Sequence, residues 1–70
     1  MNLISTTDLV RFHFPFSSRL GVSDLLGRWF SPHGRLGVVL SVRDEEALVH
    51  ITVGDQHYKA WLPVSWMQPT

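Results

Sequence analysis

Leu36–Met67 reads LGVVLSVRDEEALVHITVGDQHYKAWLPVSWM, and this stretch decides the fold class. Three runs alternate between apolar and polar residues. Two short polar turns join them, and a Pro-bounded Trp segment closes them. A period of two places successive side chains on opposite faces of an extended chain, so each run reads as a half-buried strand. Strands joined by two-residue turns form an antiparallel meander. In Leu36–Arg43, Leu36, Val38, Leu40 and Val42 are expected to face inward, with Ser41 and Arg43 outward. Gly37 is expected to face outward or to mark a bulge. Asp44-Glu45-Glu46 reads as a solvated turn. In Ala47–Val53, the inward set is Val49, Ile51 and Val53, with His50 and Thr52 outward. Gly54-Asp55 suits a type II′ turn with glycine first. The resulting register pairs Thr52 with His57, Ile51 with Tyr58, His50 with Lys59 and Leu48 with Trp61. Every pair then keeps to one side of the sheet. Leu62-Pro63 ends the strand, Val64-Ser65-Trp66 makes one tight turn, and a last short strand starts at Met67.

Toward the N-terminus, residues 1–7 read as an arm. Asp8–Phe14, DLVRFHF, alternates again, with Val10, Phe12 and Phe14 on one face and Arg11 and His13 on the other. Pro15 lacks the N–H a ladder needs and ends this strand. Phe16–Gly34 reads as a long loop or as a single helical turn capped by Ser23. Gly27 weakens such a turn and Ser31-Pro32 ends it. The whole reading is an all-β, five-stranded antiparallel domain over residues 8–70, with a long first loop and at most one short helix.

Seventy residues make one domain near the lower size limit for independent folding. With no cysteine, neither a disulfide nor a thiolate metal site can staple it. Three Trp, four Phe and one Tyr supply the apolar mass instead. A barrel this small cannot hide them all, and Phe12-x-Phe14-Pro15-Phe16 and Leu48 with Trp61 are the expected surplus. That surplus predicts a protein partner or a homo-oligomer. Six basic and six acidic residues balance, whereas a binder of duplex phosphates carries a basic excess. The start of the chain shows no basic leader followed by a long apolar run, and no run approaches the ~20 residues of a membrane span. The expected location is therefore the cytoplasm of the producing or host cell.

Thr7-Asp8-Leu9-Val10-Arg11, Gly37-Val38-Val39 and Trp61-Leu62-Pro63 together resemble the SH3-like barrels. The likeness is greatest to KOW-type domains and to small SH3-like proteins of bacteriophages, where a GDLVR-like start precedes G-V-V and W-x-P segments. Thr7 stands where such proteins often have glycine. The resemblance implies a small barrel that acts as a binding module, phage- or mobile-element-encoded and in that setting virion-associated. It carries no catalytic residues with it.

Chemistry-bearing patterns are sparse. His50 and His57 share the outward face of neighbouring strands, which is half of a zinc site, but no HExxH or His-x-His spacing accompanies them. No Ser sits in a GxSxG elbow, and a chain this short rarely encloses a substrate. Asp44-Glu45-Glu46 is more economically a solvated turn than a cation site. No enzyme activity, metal, cofactor or small-molecule substrate is expected. Two binding readings remain. Arg28, Trp29, Phe30, Arg35, Lys59 and Trp61 mix cations with aromatics, as in proteins that stack single-stranded bases. The competing reading makes Trp29, Phe30 and Trp66 core and the cations ordinary surface. Trp61 beside Leu48, between Lys59 and His50, forms an apolar patch fit for a protein partner. A non-catalytic protein-interaction module is the leading expectation, centred on Arg28, Trp29, Arg35, Leu48, His50, Lys59 and Trp61. A KOW-like nucleic-acid binder is the alternative.

Overall fold

The computed structural model describes residues 4–16 and 20–70. Among the described residues seven strands follow one another: β1 Leu9–Phe12, β2 Val22–Ser23, β3 Trp29–Phe30, β4 Leu36–Arg43, β5 Glu46–Val53, β6 Gln56–Pro63 and β7 Met67–Pro69. A 3-10 turn, Val64–Trp66, separates β6 from β7. Five strands form one antiparallel sheet in the order β6-β5-β4-β1-β7, while β2 and β3 pair as a separate ribbon. The hydrogen-bonded order is open, with β6 and β7 at its two ends. The all-β reading holds. Closure into a barrel does not appear in the pairing among the described residues.

The meander forms where the sequence places it. β5 and β6 pair in the expected register, including His50 with Lys59 and Leu48 with Trp61. Gly54 opens the connecting turn at φ 60°, the left-handed region that a type II′ turn requires at its first position. The β4–β5 hairpin pairs Arg43 with Glu46 around Asp44-Glu45, so Glu46 belongs to the strand rather than the turn. Asp44 takes φ 55° there with no glycine to relieve it.

The core is built from alternate residues of these strands. Val10 and Phe12 of β1, Ala47, Val49 and Ile51 of β5, and Ala60 and Leu62 of β6 are all buried, with Phe14 beyond the end of β1. The first strand is shorter than Asp8–Phe14, yet its facing residues are as expected. Phe12 and Phe14 are not surface surplus; of the three phenylalanines in that segment only Phe16 is exposed. Its ring packs edge-on against Phe14 at 5.3 Å and Trp66 at 6.1 Å between centroids. Ile4 joins the core, and Thr7 N–H donates to Val39 C=O at 2.7 Å, so residues 4–8 are tied to the sheet. Residues 1–3 of the predicted arm lie outside the described residues.

β4 corrects the expected facing. Gly37 and Val39 point into the core, while Leu36, Val38 and Leu40 face out. The register slips between Val39 and Ser41, the mark of a β-bulge at Leu40. Beyond it, Val42 again packs against the core opposite Ala47. LGVVLSV is apolar on both faces, so alternation alone cannot choose between them. The bulge lets Val39 and Val42, three apart, face the same way. Gly37 is inward because space is short: a Cβ there would lie 2.9 Å from Phe12 Cε2 and 3.0 Å from Ile51 Cγ1.

Among the described residues of Phe16–Gly34 the chain is neither a helical turn nor an irregular loop throughout; residues 17–19 lie outside the described residues. Ser23 caps no helix and instead pairs with Trp29, while Val22 pairs with Phe30. Gly27 at φ 79° lets the chain reverse, with Gly27 N–H donating to Asp24 C=O and Asp24 N–H to Arg28 C=O. This ribbon buries Phe30, which stacks on Tyr58 at 4.5 Å.

Candidate functional site

The seam between the ribbon and β6 brings together the largest share of the chemistry-bearing side chains. β6 ends the sheet order, so its outer carbonyls need partners. Leu25 N–H donates to Lys59 C=O at 2.9 Å, and the Arg28 guanidinium donates to His57 C=O. Arg28 also holds Asp24, with Nε and Nη2 at 2.9 and 2.8 Å from Oδ2, and its guanidinium lies 4.8 Å from the centre of the Tyr58 ring. Asp24 is buried, and its Oδ1 accepts from the N–H groups of Leu26 and Arg28 at 2.9 and 2.8 Å. Burial works against its charge. The Arg28 backbone and side-chain donors, with Leu26 N–H and the Arg28 charge, outweigh that and hold its pKa below the ordinary aspartate value. Arg28 is thereby a clamp that ties ribbon to sheet, and its charge is balanced locally.

A hollow of about 280 Å³ lies at this seam, lined by Asp24, Leu25, Leu26, Arg28, His57 and Lys59. That is at the low edge of cavities that bury a small ligand, roughly 300–1,000 Å³. Leu25 and Leu26 are exposed at the ribbon tip, and Trp29 is 61% exposed on the ribbon's outer side. Trp29 is therefore not core, whereas Phe30 is, and Trp66 is half-buried.

Next to the seam, on the outward face of the sheet, His50 Nε2 and His57 Nδ1 lie 3.1 Å apart, with rings stacked at 5.2 Å. Leu48 and Trp61 face each other one step along, but both are half-buried. Arg43 lies over the Trp61 ring at 4.3 Å from its centroid. The patch predicted there is thus roofed by a cation from β4, a contact that sequence spacing does not reveal. Arg35 stands apart, its carbonyl accepting from Phe12 N–H at 3.0 Å.

A second surface comes from residues expected inside. Leu9 pairs with Val38 and Arg11 with Leu36 across β1 and β4. Leu9, Leu36, Val38 and Leu40 are between 39% and 45% exposed and lie on one outward face. Val38 also pairs with His50 on β5, so this apolar row runs up to the histidine pair. The sequence signal for it is the excess of apolar residues in LGVVL, enough to cover both faces of the strand. For the ribbon, the signal is Asp24-Leu25-Leu26-Gly27, an Asp whose carboxylate caps a turn closed by a glycine. No helix among the described residues is long and apolar enough to cross a membrane. No protein-family model, curated protein or solved structure matches the chain.

Proposed function

We propose that this chain is a non-catalytic protein-interaction module of SH3-like architecture, acting through the outward face of β1 and β4. The observation that carries this is the row Leu9, Leu36, Val38 and Leu40, four large aliphatic side chains left substantially exposed on paired strands. An apolar patch on a small domain that could have been polar at no cost to its core favours a protein contact. Strand order supports the SH3-like reading: β1 sits between β4 and β7, and a 3-10 turn precedes the last strand. The two-stranded ribbon takes the place of the long first loop in that architecture. The nucleic-acid reading is weaker. Arg28 is paired with Asp24, Arg43 is stacked on Trp61, and the chain has no net charge.

Val38→Glu tests the module without touching the core. Light scattering over a dilution series and capture from producing cells are compared between wild type and variant, with Thr52→Glu as a control on the same face. Association lost only in Val38→Glu supports the reading. Salt-sensitive oligonucleotide binding that Lys59→Ala removes and Val38→Glu leaves intact would replace it with the nucleic-acid reading.

A further inference from the structure

The geometry points to a second use of the outward face: His50 and His57 form a two-imidazole site for a borderline divalent transition metal such as Cu2+, Ni2+ or Zn2+. Imidazole nitrogens bind these ions at roughly 2.0–2.1 Å, so two of them on one tetrahedral or square ion stand roughly 2.9–3.4 Å apart. His50 Nε2 and His57 Nδ1 are 3.1 Å apart before any ion is present. The pairing of β5 with β6 fixes that spacing. His50 is opposite Lys59 and His57 opposite Thr52, so the two rings meet diagonally across a rigid hairpin. Both strands are already paired, so chelation needs only side-chain rotations that aim one lone pair from each ring at a common point in solvent. The rings share a hydrogen bond, and whichever one donates must move that proton to its other nitrogen. His57 is exposed and His50 half-buried, so the common point is open to an ion.

No third His, Cys, Asp or Glu joins the pair among the described residues. The protein would therefore supply two ligands, leaving the other positions to water or to a donor from another molecule. Such a site is labile and belongs to the metals that favour imidazole, with copper bound more tightly than nickel or zinc. Lys59 opposes a dication from across the strand pair, an exposed charge whose effect solvent and salt reduce. Protons compete for the same nitrogens, so binding weakens on acidification.

Titrating the protein with Zn2+ alone, followed by the carbon–hydrogen NMR signals of the four histidine rings, reads the site directly in the wild-type chain. The His50 and His57 signals are expected to move together and to saturate at one ion per chain. His13, bonded to Gln68, and His33, which accepts from Phe14 N–H, serve as internal references. Calorimetry with Cu2+ is expected to show one site whose affinity drops about tenfold or more in both His50→Gln and His57→Gln, and stays unchanged in His13→Gln. Zn2+ shifts confined to His13 or His33, Cu2+ affinity unchanged in the two variants, or no binding at millimolar metal would each overturn the assignment. None of these outcomes depends on a protein partner.

Discussion

Gly37 packs against Phe12 so closely that a single methyl group on it would approach Phe12 Cε2 to 2.9 Å. β4 crosses the centre of the sheet here, paired with β1 on one side and β5 on the other. Phe12 is fully buried and fills the space that a side chain at Gly37 would occupy. Gly37→Ala is therefore expected to destabilise by about 1–3 kcal/mol through overpacking. In a domain of this size that lowers the melting temperature by roughly 4–8 °C per kcal/mol. An unchanged thermal transition would show that Phe12 moves aside freely.

Ile51 and Val38 provide the matched test of which way the strands face. Ile51 is fully buried, whereas Val38, the residue next to Ile51's partner Gly37 on β4, is 39% exposed. Ile51→Ala should lose about 2–5 kcal/mol, enough to unfold a domain with little reserve. Val38→Ala should stay within about 1 kcal/mol, because it removes a surface side chain that is already substantially exposed and leaves no closed cavity. Denaturant midpoints of the two variants check this, and equal losses would restore the opposite facing of β4.

Asp44 is strained in a way that glycine would relieve. It holds φ 55° at the first position of the β4–β5 turn, whereas Gly54 fills the equivalent position of the β5–β6 turn. Left-handed backbone costs a non-glycine residue about 1–2 kcal/mol, partly offset in Asp44→Gly by the freer unfolded chain. A net gain of up to about 1 kcal/mol is expected in thermal unfolding. A loss would mean that the Asp44 carboxylate makes a contact worth more than the strain.

Arg43 and Trp61 carry a prediction about the surface. The guanidinium covers the ring at 4.3 Å, a contact worth about 0.5–1 kcal/mol at an exposed site. Arg43→Ala should destabilise by about that much and uncover Trp61 beside Leu48. Trp emission should shift to the red, and a spectrum identical to wild type would show that Arg43 does not shield the ring.

These contacts also mark where sequence reading succeeds. The β5–β6 hairpin was legible because its pattern has one apolar face and a turn whose glycine fixes the register. Val10, Phe12 and Phe14 were legible for the same reason. β4 was not, because LGVVLSV is apolar on both sides and a bulge at Leu40 shifts its phase midway. The ribbon was not, because strands of two residues carry no periodicity, and Asp24-x-x-Gly27 is compatible with a helix start as well as a turn. Of the anticipated binding residues, Arg28, Lys59 and His50 gather near one seam. Trp61 sits under Arg43 with Leu48 paired across from it, and Arg35 lies elsewhere. Such groupings come from long-range packing, which a one-dimensional pattern cannot express.

Asp24 gives the fold a pH dependence of defined sign. Its pKa is held down in the folded state by donors that do not exist in the unfolded chain: Leu26 N–H, Arg28 N–H and the Arg28 guanidinium. A depressed folded pKa means that ionised Asp24 favours folding. That stabilisation is fully present above the ordinary aspartate value of about 3.9 and is lost as pH falls through the lower folded value. Protonation leaves Oδ2 a poorer acceptor for Arg28, so the link from the ribbon to His57 C=O should loosen before the sheet melts. Asp24→Asn keeps the shape and removes the titration. At neutral pH it should be less stable than wild type, and the gap should close as pH falls through the lowered folded value, below which both chains carry a neutral group. Melting temperatures of the pair across pH 2–7 measure this. A gap that stays constant, or widens in acid, would show that Asp24 acts through its shape and hydrogen-bond count rather than its charge.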